Sequence, residues 1–175
     1  MQVLASVAYP ACTLDVVEGD LLAQPVDAIV NAANGHLAHG GGVAAIISRA
    51  AGPELQEECD RLVQKKGPYP TGAAVASTAG KLPFKGVIHA VGPRQGEGDE
   101  ERKLEQALSS AFECARERGW RTVAFPAVSA GIFAVPPEVC ARAYAAAARR
   151  SPLSKVVLCL RDQPVIDAVL KELKV

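Results

Sequence analysis

The chain has 175 residues, of which 49% are hydrophobic, and its 19 Lys and Arg residues balance 19 Asp and Glu residues. This length and apolar content predict one domain with a single core, spanning residues 1–175. A net charge of zero gives no sign of nucleic acid or a membrane surface as partner. No apolar run reaches the roughly 18 residues that cross a bilayer, and no signal-peptide pattern is present, so we expect a cytoplasmic monomer.

The cysteines and histidines give little sign of a metal or redox site. The five cysteines are odd in number and widely spaced, and they form no C-x-x-C pair. We therefore expect buried thiols in reducing surroundings, with neither a disulfide framework nor structural zinc. With only three histidines in the chain as further ligands, we expect no metal and no cofactor.

Strand and helix patterns follow one another along the chain. Seven apolar or alternating runs bounded by Gly, Pro or Asp predict strands: QVLASVAY, CTLDVVEGD, DAIVNAAN, GAAVASTAG, GVIHAVGP, TVAFPAVS and KVVLCLRD. Five segments with helical spacing predict helices: GVAAIISRAAG, PELQEECDRLVQKKG, EERKLEQALSSAFECARERG, PPEVCARAYAAAARR and QPVIDAVLKELK. Strands and helices in alternation predict an α/β sandwich, with helices on both faces of a largely parallel sheet.

Four loops that follow predicted strands form the candidate ligand site, because ligands of open α/β sheets bind at the carboxyl ends of the strands. These loops are EGDLL, NGHLAHGGGV, VSAGIF and RDQP. In the second, Gly40–Gly42 runs straight into a helix, so its N–H groups and the helix dipole could hold a phosphate. The small-residue loop Ser129–Phe133 could hold the other side of the same anion. The Walker and Rossmann glycine patterns are absent, which argues against an NTPase or an ordinary dehydrogenase.

Two asparagines, Asn31 and Asn34, lie at the end of a predicted apolar strand. A carboxamide in this position is suited to hydrogen-bonding the hydroxyls of a sugar. For Asn34 a second interpretation is equally supported by the local chemistry, because Asn followed by Gly is typical of a turn.

The motifs VEGDLL, VDAIVNAANGHLAHGGGVAAII, VIHAVGP, FPAVSAGIF and VVLCLRD, in this order and spacing, resemble the macrodomain family, which binds ADP-ribose. The resemblance extends from about Val16 to the C-terminus. It implies a three-layer α/β/α macrodomain-like sandwich with a mixed, largely parallel central sheet. The HGGG and LRD features resemble alphavirus, coronavirus and rubella-like macrodomains, and those beside poly-ADP-ribose polymerase modules, which suggests a viral nonstructural polyprotein as the source.

The resemblance also implies roles for individual residues. Asp20 would bind the adenine amino group, or otherwise cap a turn. Arg161 stands where many family members have an aromatic residue; its guanidinium could stack on adenine, or lie solvated at the surface. Phe133 would flank the distal ribose, or otherwise be a core aromatic. The full predicted ligand-binding set is Asp20, Leu21, Asn31, Gly41, Gly42, Val43, Ser129, Ala130, Gly131, Ile132, Phe133 and Arg161.

Asn34 and His39 are the predicted catalytic residues. Family members that remove ADP-ribose from proteins place an Asn against the distal ribose, and Asn34 matches it. Hydrolases of one subclass also carry an Asp directly after GGGV, where this chain has Ala44, so their general base cannot be carried over. His39, with an ordinary pKa of about 6.5, could transfer a proton or could order the glycine loop.

The resulting hypothesis is an enzyme that binds ADP-ribose and hydrolyses mono-ADP-ribose from the Asp and Glu side chains of modified proteins, which would be its partners. One alternative is a non-catalytic reader of ADP-ribosylated proteins, which Ala44 favours. Another is binding of poly-ADP-ribose or RNA through the same pocket, although the zero net charge counts against it.

Overall fold

A computed structural model describes the whole chain, Met1–Val175. It contains all seven predicted strands and all five predicted helices. Their bounds are β1 (Gln2–Ala8), β2 (Thr13–Glu18), β3 (Ala28–Ala33), α1 (Gly42–Ala51), α2 (Pro53–Lys66), β4 (Ala74–Ser77), β5 (Gly86–Val91), α3 (Glu100–Glu117), β6 (Thr122–Phe125), α4 (Pro137–Arg149), β7 (Lys155–Leu160) and α5 (Gln163–Leu173). A single 3₁₀ turn, Leu21–Ala23, follows β2.

The strands form one mixed sheet in the order β1-β2-β7-β6-β3-β5-β4. The five inner strands are parallel, whereas β1 pairs antiparallel with β2 and β4 pairs antiparallel with β5. Strict alternation of strands and helices is therefore a wrong prediction, since β1, β2 and β3 follow one another directly along the chain. Antiparallel neighbours can be joined without a crossover helix, which explains both edges of the sheet.

Helices cover both faces of the sheet, which confirms the predicted three-layer α/β sandwich. One face packs against α3, α4 and α5 in a cluster of 30 buried residues that includes Phe112, Phe125 and Tyr144. The other face packs against α1 and α2 in a cluster of 15 buried residues that includes Ile47 and Leu55. Both sides of the inner strands are buried, as their nearly all-apolar sequences require. No helix is both long and apolar enough to cross a membrane.

The parallel strands bring the four predicted ligand loops together. Strands β2, β7, β6 and β3 are neighbours in this order, so the loops after Glu18, Leu160, Phe125 and Ala33 leave from one edge of the sheet. Three strand spacings of about 4.8 Å separate β2 from β3, which is about 14 Å in all. A ligand that reaches from the first loop to the last is therefore long and extended.

Candidate functional site

A cavity of about 1060 Å³ opens at this edge of the sheet. Its wall includes residues from all four predicted loops: Gly19–Leu22 after β2, Gly40–Ala44 before α1, Pro126–Phe133 after β6, and Arg161 and Asp162 after β7. The predicted site is thus one continuous space, and every member of the predicted ligand-binding set except Asn31 lines it.

The glycine loop presents a helix N-terminus to this cavity. Gly41 is the N-cap residue of α1, and no side chain caps the helix. The N–H groups of Gly42, Val43 and Ala44 have no acceptor within the protein. Gly42 has φ +59°, a left-handed conformation that glycine adopts without strain. Unsatisfied N–H groups at the positive end of a helix dipole form an anion site.

The loop Ser129–Phe133 faces the glycine loop across the cavity. The N–H groups of Gly131, Ile132 and Phe133 also have no acceptor within the protein. The side chain of Ile132 reaches the glycine loop, because a Cβ added to Gly41 would lie 3.6 Å from Ile132 Cδ1. Two sets of three N–H groups therefore approach the same space from opposite sides, as a diphosphate requires.

The β2 and β7 end of the cavity holds Asp20 and Arg161. Asp20 caps the 3₁₀ turn, accepting from the N–H of Leu22 through Oδ1 at 2.9 Å. This is the capping role that was the alternative for Asp20, and it leaves the second carboxylate oxygen for a ligand. Arg161 donates through Nε to the carbonyl of Gly19 at 3.3 Å, which places its guanidinium beside Asp20. Burial raises the pKa of the adjoining Cys159 thiol to about 12, so Cys159 is not a nucleophile here.

Asn34 lines the β3 end of the cavity and also organises the loop that follows it. Its Oδ1 accepts from the N–H groups of His36 at 3.1 Å and Ala38 at 3.2 Å, and its Nδ2 donates to the carbonyl of Ala38 at 2.9 Å. The turn interpretation of Asn34 is therefore found in the structure. One N–H of the carboxamide remains for a ligand, so its contact with a ribose stays a prediction.

Two predicted site residues require correction, because Asn31 and His39 do not line the cavity. Asn31 is fully buried on the α1 and α2 face of the sheet, where its Nδ2 lies 3.0 Å from His89 Nδ1. The ring of His39 turns inward and stacks on His89, with the ring centroids 5.0 Å apart. Burial lowers the pKa of His39 below its ordinary value. Of the two roles considered for His39, ordering the glycine loop fits this position and proton transfer in the cavity does not.

Arg94 is a wall residue that the sequence reasoning missed. It follows β5, and its guanidinium lies 4.8 Å from the centre of the Phe133 ring. The N–H of Gln95 also donates to the carbonyl of Phe133 at 2.8 Å, so this loop holds the end of Ser129–Phe133 in place. The signal was available, since β5 is parallel to β3 and its carboxyl end reaches the same edge, but the loop after β5 was not among the four candidate loops.

The cavity wall has few groups that could exchange a proton. Its titratable side chains are Asp20, Arg94, Cys159, Arg161 and Asp162, and no histidine or lysine is among them. Both carboxylates belong to the β2 and β7 end. At the Asn34 end, Ala44 occupies the wall where a base would be needed. Away from the cavity, His39, Cys59 and His89 bring three metal-ligating atoms within 4.8 Å of one another, a grouping the sequence did not predict.

Comparison with known proteins identifies the family. The Macro domain family model matches residues 30–144. The chain is 46% identical over 125 residues to the O-acetyl-ADP-ribose deacetylase of Escherichia fergusonii, covering 70% of this chain and 71% of that one. It is 40% identical over 166 residues to the human protein mono-ADP-ribosyltransferase PARP14, covering 93% of this chain but 9% of that protein. The structure of the Oceanobacillus iheyensis macrodomain with ADP superimposes with a TM-score of 0.90 at 27% identity, over 97% of this chain and 94% of that one.

The chain therefore belongs to the Macro domain family, and the predicted resemblance is confirmed. These three relatives are bacterial and human. The viral polyprotein origin suggested by HGGG and LRD stays a prediction.

Proposed function

We propose that this macrodomain binds ADP-ribose along the cavity and hydrolyses mono-ADP-ribose from the Asp and Glu side chains of modified proteins. The observation that carries the proposal is the pair of facing loops, in which Gly42–Ala44 and Gly131–Phe133 each offer three unpartnered N–H groups. Donors on two sides, with no lysine between them, suit a diphosphate that is held and not transferred.

The ligand then has a defined direction. Adenine lies beside Asp20 and Arg161, the diphosphate lies between the two loops, and the distal ribose lies near Asn34 and Phe133. The span of about 14 Å between β2 and β3 accommodates this extended arrangement. The name of the bacterial relative, O-acetyl-ADP-ribose deacetylase, supports an ester of ADP-ribose as the class of substrate.

The chemistry depends on the ligand as well as on the protein, because Ala44 and the inward-turned His39 leave no base at the ribose end. Water attacks the anomeric carbon, and the bond to the acyl oxygen breaks, with its electron pair leaving on the protein carboxylate. The water proton passes through the diphosphate to solvent. The two loops fix the diphosphate beside the cation-like sugar, and Asn34 holds the loop that orients the ribose.

A reader without catalytic activity is the second candidate, and the same lack of a base favours it. The deciding experiment incubates the protein with a substrate mono-ADP-ribosylated on glutamate and measures released ADP-ribose by chromatography. We expect release by the parent protein and loss of release with Asn34→Ala. The control is Gln64→Ala, which removes an exposed carboxamide on α2, outside the cavity.

The outcomes separate the two functions. No release by the parent protein, together with ADP-ribose binding measured by calorimetry, would establish a reader. If the parent protein neither releases ADP-ribose nor binds it, the proposed site as a whole is rejected. Unchanged release by Asn34→Ala would reject the role given to Asn34.

A further inference from the structure

A second polar site lies behind the cavity wall, between the sheet and α2. His39 precedes the glycine loop, Cys59 lies on α2, Ser77 ends β4 and His89 lies within β5. The Nε2 atom of His39 is 3.3 Å from Cys59 Sγ, and His89 Nε2 is 3.5 Å from the same sulfur. Ser77 Oγ is 2.8 Å from His89 Nε2. Nitrogen, sulfur and oxygen donors from four separate segments thus converge on one point.

The spacing of these atoms matches a tetrahedral metal site. Zinc binds thiolate sulfur at about 2.3 Å and imidazole nitrogen at about 2.1 Å, so neighbouring sulfur and nitrogen ligands lie about 3.6 Å apart. The two sulfur–nitrogen distances here, 3.3 and 3.5 Å, are close to that edge length. The two imidazole nitrogens lie within 4.8 Å of each other, whereas two nitrogen ligands of a tetrahedral ion are about 3.4 Å apart, so the rings would move together by up to about 1.4 Å on binding a cation.

The two imidazoles are also oriented as metal ligands are. Each points Nε2 at the thiol and Nδ1 at Asn31, whose Nδ2 lies 3.3 Å from His39 Nδ1 and 3.0 Å from His89 Nδ1. Metal-bound histidines need a partner of this kind at the second nitrogen. Asn31 Oδ1 is buried without any hydrogen-bond partner. If the amide oxygen and nitrogen of Asn31 exchange places, Oδ1 can accept hydrogen bonds from the Nδ1–H groups of both histidines. Neutral histidines that ligate a metal through Nε2 carry their proton on Nδ1.

The local charges favour a cation. Burial lowers the pKa of His89 to about 3, so its imidazole is neutral and able to ligate at pH 7. Burial, and to a lesser extent the nearby carboxylates of Glu58 and Asp60, raise the pKa of the Cys59 thiol to about 12. A divalent cation would relieve the cost of the buried thiolate, because it supplies the missing positive charge.

We propose that His39, Cys59 and His89 bind a divalent cation of zinc type, with Ser77 Oγ as the fourth donor. On binding, the Cys59 thiol loses its proton to solvent and a sulfur–metal bond forms. Two imidazoles and one thiolate are ligands that zinc and cobalt(II) accept, and in zinc sites with three protein ligands an oxygen donor takes the fourth position. The site is separate from the cavity and does not depend on the function proposed for it. The bound cation would connect His39, the residue before the glycine loop, to α2 through Cys59 and to the sheet through His89.

The test uses the whole protein, freed of metal with EDTA, and titrates it with Co²⁺ and then with Zn²⁺. We expect one Co²⁺ per chain, with thiolate charge-transfer and tetrahedral d–d absorption bands that disappear when Zn²⁺ is added. One proton per chain should be released. Cys59→Ser and His89→Gln should weaken Co²⁺ binding by 100-fold or more. Cys159→Ser is the matched control, because this buried thiol lies in the cavity wall, and it should bind as the parent does.

Two outcomes of the titration would overturn the proposal. One is a parent protein that binds no Co²⁺ or Zn²⁺ in stoichiometric amount. The other is a Cys59→Ser protein that keeps the same cobalt spectrum, since the metal would then lie elsewhere. Circular dichroism of each variant checks its fold. A further test needs no variant: the melting temperature of the parent should rise when Zn²⁺ is added. An unchanged melting temperature would also contradict the proposal.

Discussion

Gly92, the first residue after β5, packs directly against Ser129 of the loop after β6. A Cβ added to Gly92 would lie 2.2 Å from Ser129 Oγ and 2.9 Å from a methyl carbon of Val128. Ser129 is buried with φ +67°, its carbonyl accepts from the N–H of Val135 at 3.0 Å, and its hydroxyl, which has no partner, lies against Gly92. The absence of a side chain at Gly92 therefore sets the position of the loop Ser129–Phe133.

From this contact we predict that Gly92→Ala displaces the loop Ser129–Phe133. Calorimetry should show ADP-ribose affinity reduced by 10-fold or more, because the N–H groups of Gly131–Phe133 move away from the diphosphate. The free energy of unfolding should fall as well, as expected of overpacking. Gly96→Ala is not a suitable control because Gly96 has φ +92°. Gly86→Ala is the control, because its added Cβ would lie 2.3 Å from the Trp120 ring at the other end of β5, so it overpacks the protein outside the cavity wall.

A second prediction contrasts the two glycines at the start of α1. Gly41 is extended, with φ −158°, and an added Cβ would make only ordinary contact with Ile132 at 3.6 Å. Gly41→Ala should therefore leave the free energy of unfolding nearly unchanged while the new methyl group fills the gap between the loops and weakens ADP-ribose binding. Gly42 has φ +59°, so Gly42→Ala should cost about 1 to 2 kcal/mol in stability as well.

Urea unfolding and calorimetry on the same preparations measure the two effects separately. Equal stability of the two variants would contradict the strain assigned to Gly42. Full ADP-ribose affinity in Gly41→Ala would show that the ligand does not pass between the glycine loop and Ile132.

The positions of the strands and of the four ligand loops could be predicted from the sequence, because apolar runs and the small-residue turns that follow them are local signals. The antiparallel edges were not predicted from the residues, although β1 and β2, and likewise β4 and β5, follow each other in the chain with no helix between them, as antiparallel neighbours can. The burial of Asn31 was predictable, because residues two apart in a strand share a face, and Ile29 and Ala33 pack against α1 and α2. The inward turn of His39 was not, because it depends on the path of the loop, in which the buried Leu37 has φ +50°, a conformation that no local pattern indicates.

A third prediction concerns Arg94, which contacts Phe133 at the ribose end of the cavity. Arg94→Ala should lower ADP-ribose affinity about two- to five-fold, because it removes an exposed cation–π contact of about 0.5–1 kcal/mol that holds Phe133 in position. The measurement is calorimetry with ADP-ribose and, in parallel, with ADP, which lacks the distal ribose. A loss confined to ADP-ribose is expected. An equal loss for ADP would place Arg94 against the diphosphate instead.

A fourth prediction is a pH dependence of stability at Asp27, at the opposite end of the sheet from the cavity. The N–H groups of Arg121 at 2.7 Å and Thr122 at 3.3 Å donate to its Oδ2. These bonds, the one from Arg121 foremost, lower the pKa of Asp27 below 3.8. The folded state therefore gains stability from the ionised carboxylate above about pH 4, and loses it as the pH falls through the lowered pKa.

Asp27→Ala should therefore cost about 1.5–3 kcal/mol at pH 7, the range for hydrogen bonds to a charged group. The difference from the parent should shrink when urea unfolding is repeated near pH 3. Glu113→Ala is the control, since its ion pair with Arg116 is exposed to solvent and contributes little to stability. A cost at Asp27 that is the same at both pH values would contradict a role for its charge.

The last prediction addresses Arg161, which stands where many macrodomains have an aromatic residue. Its Nε is held by the carbonyl of Gly19 at 3.3 Å, so the flat guanidinium is fixed beside Asp20. Stacking of a guanidinium or an aromatic ring on a base contributes about 1–3 kcal/mol, so Arg161→Ala should reduce affinity for ADP-ribose and for AMP by 5-fold or more. Arg161→Phe should restore it, because a ring can stack without the charge. If Arg161→Ala binds both ligands as tightly as the parent, Arg161 is a solvated surface residue, and adenine lies against other parts of the wall.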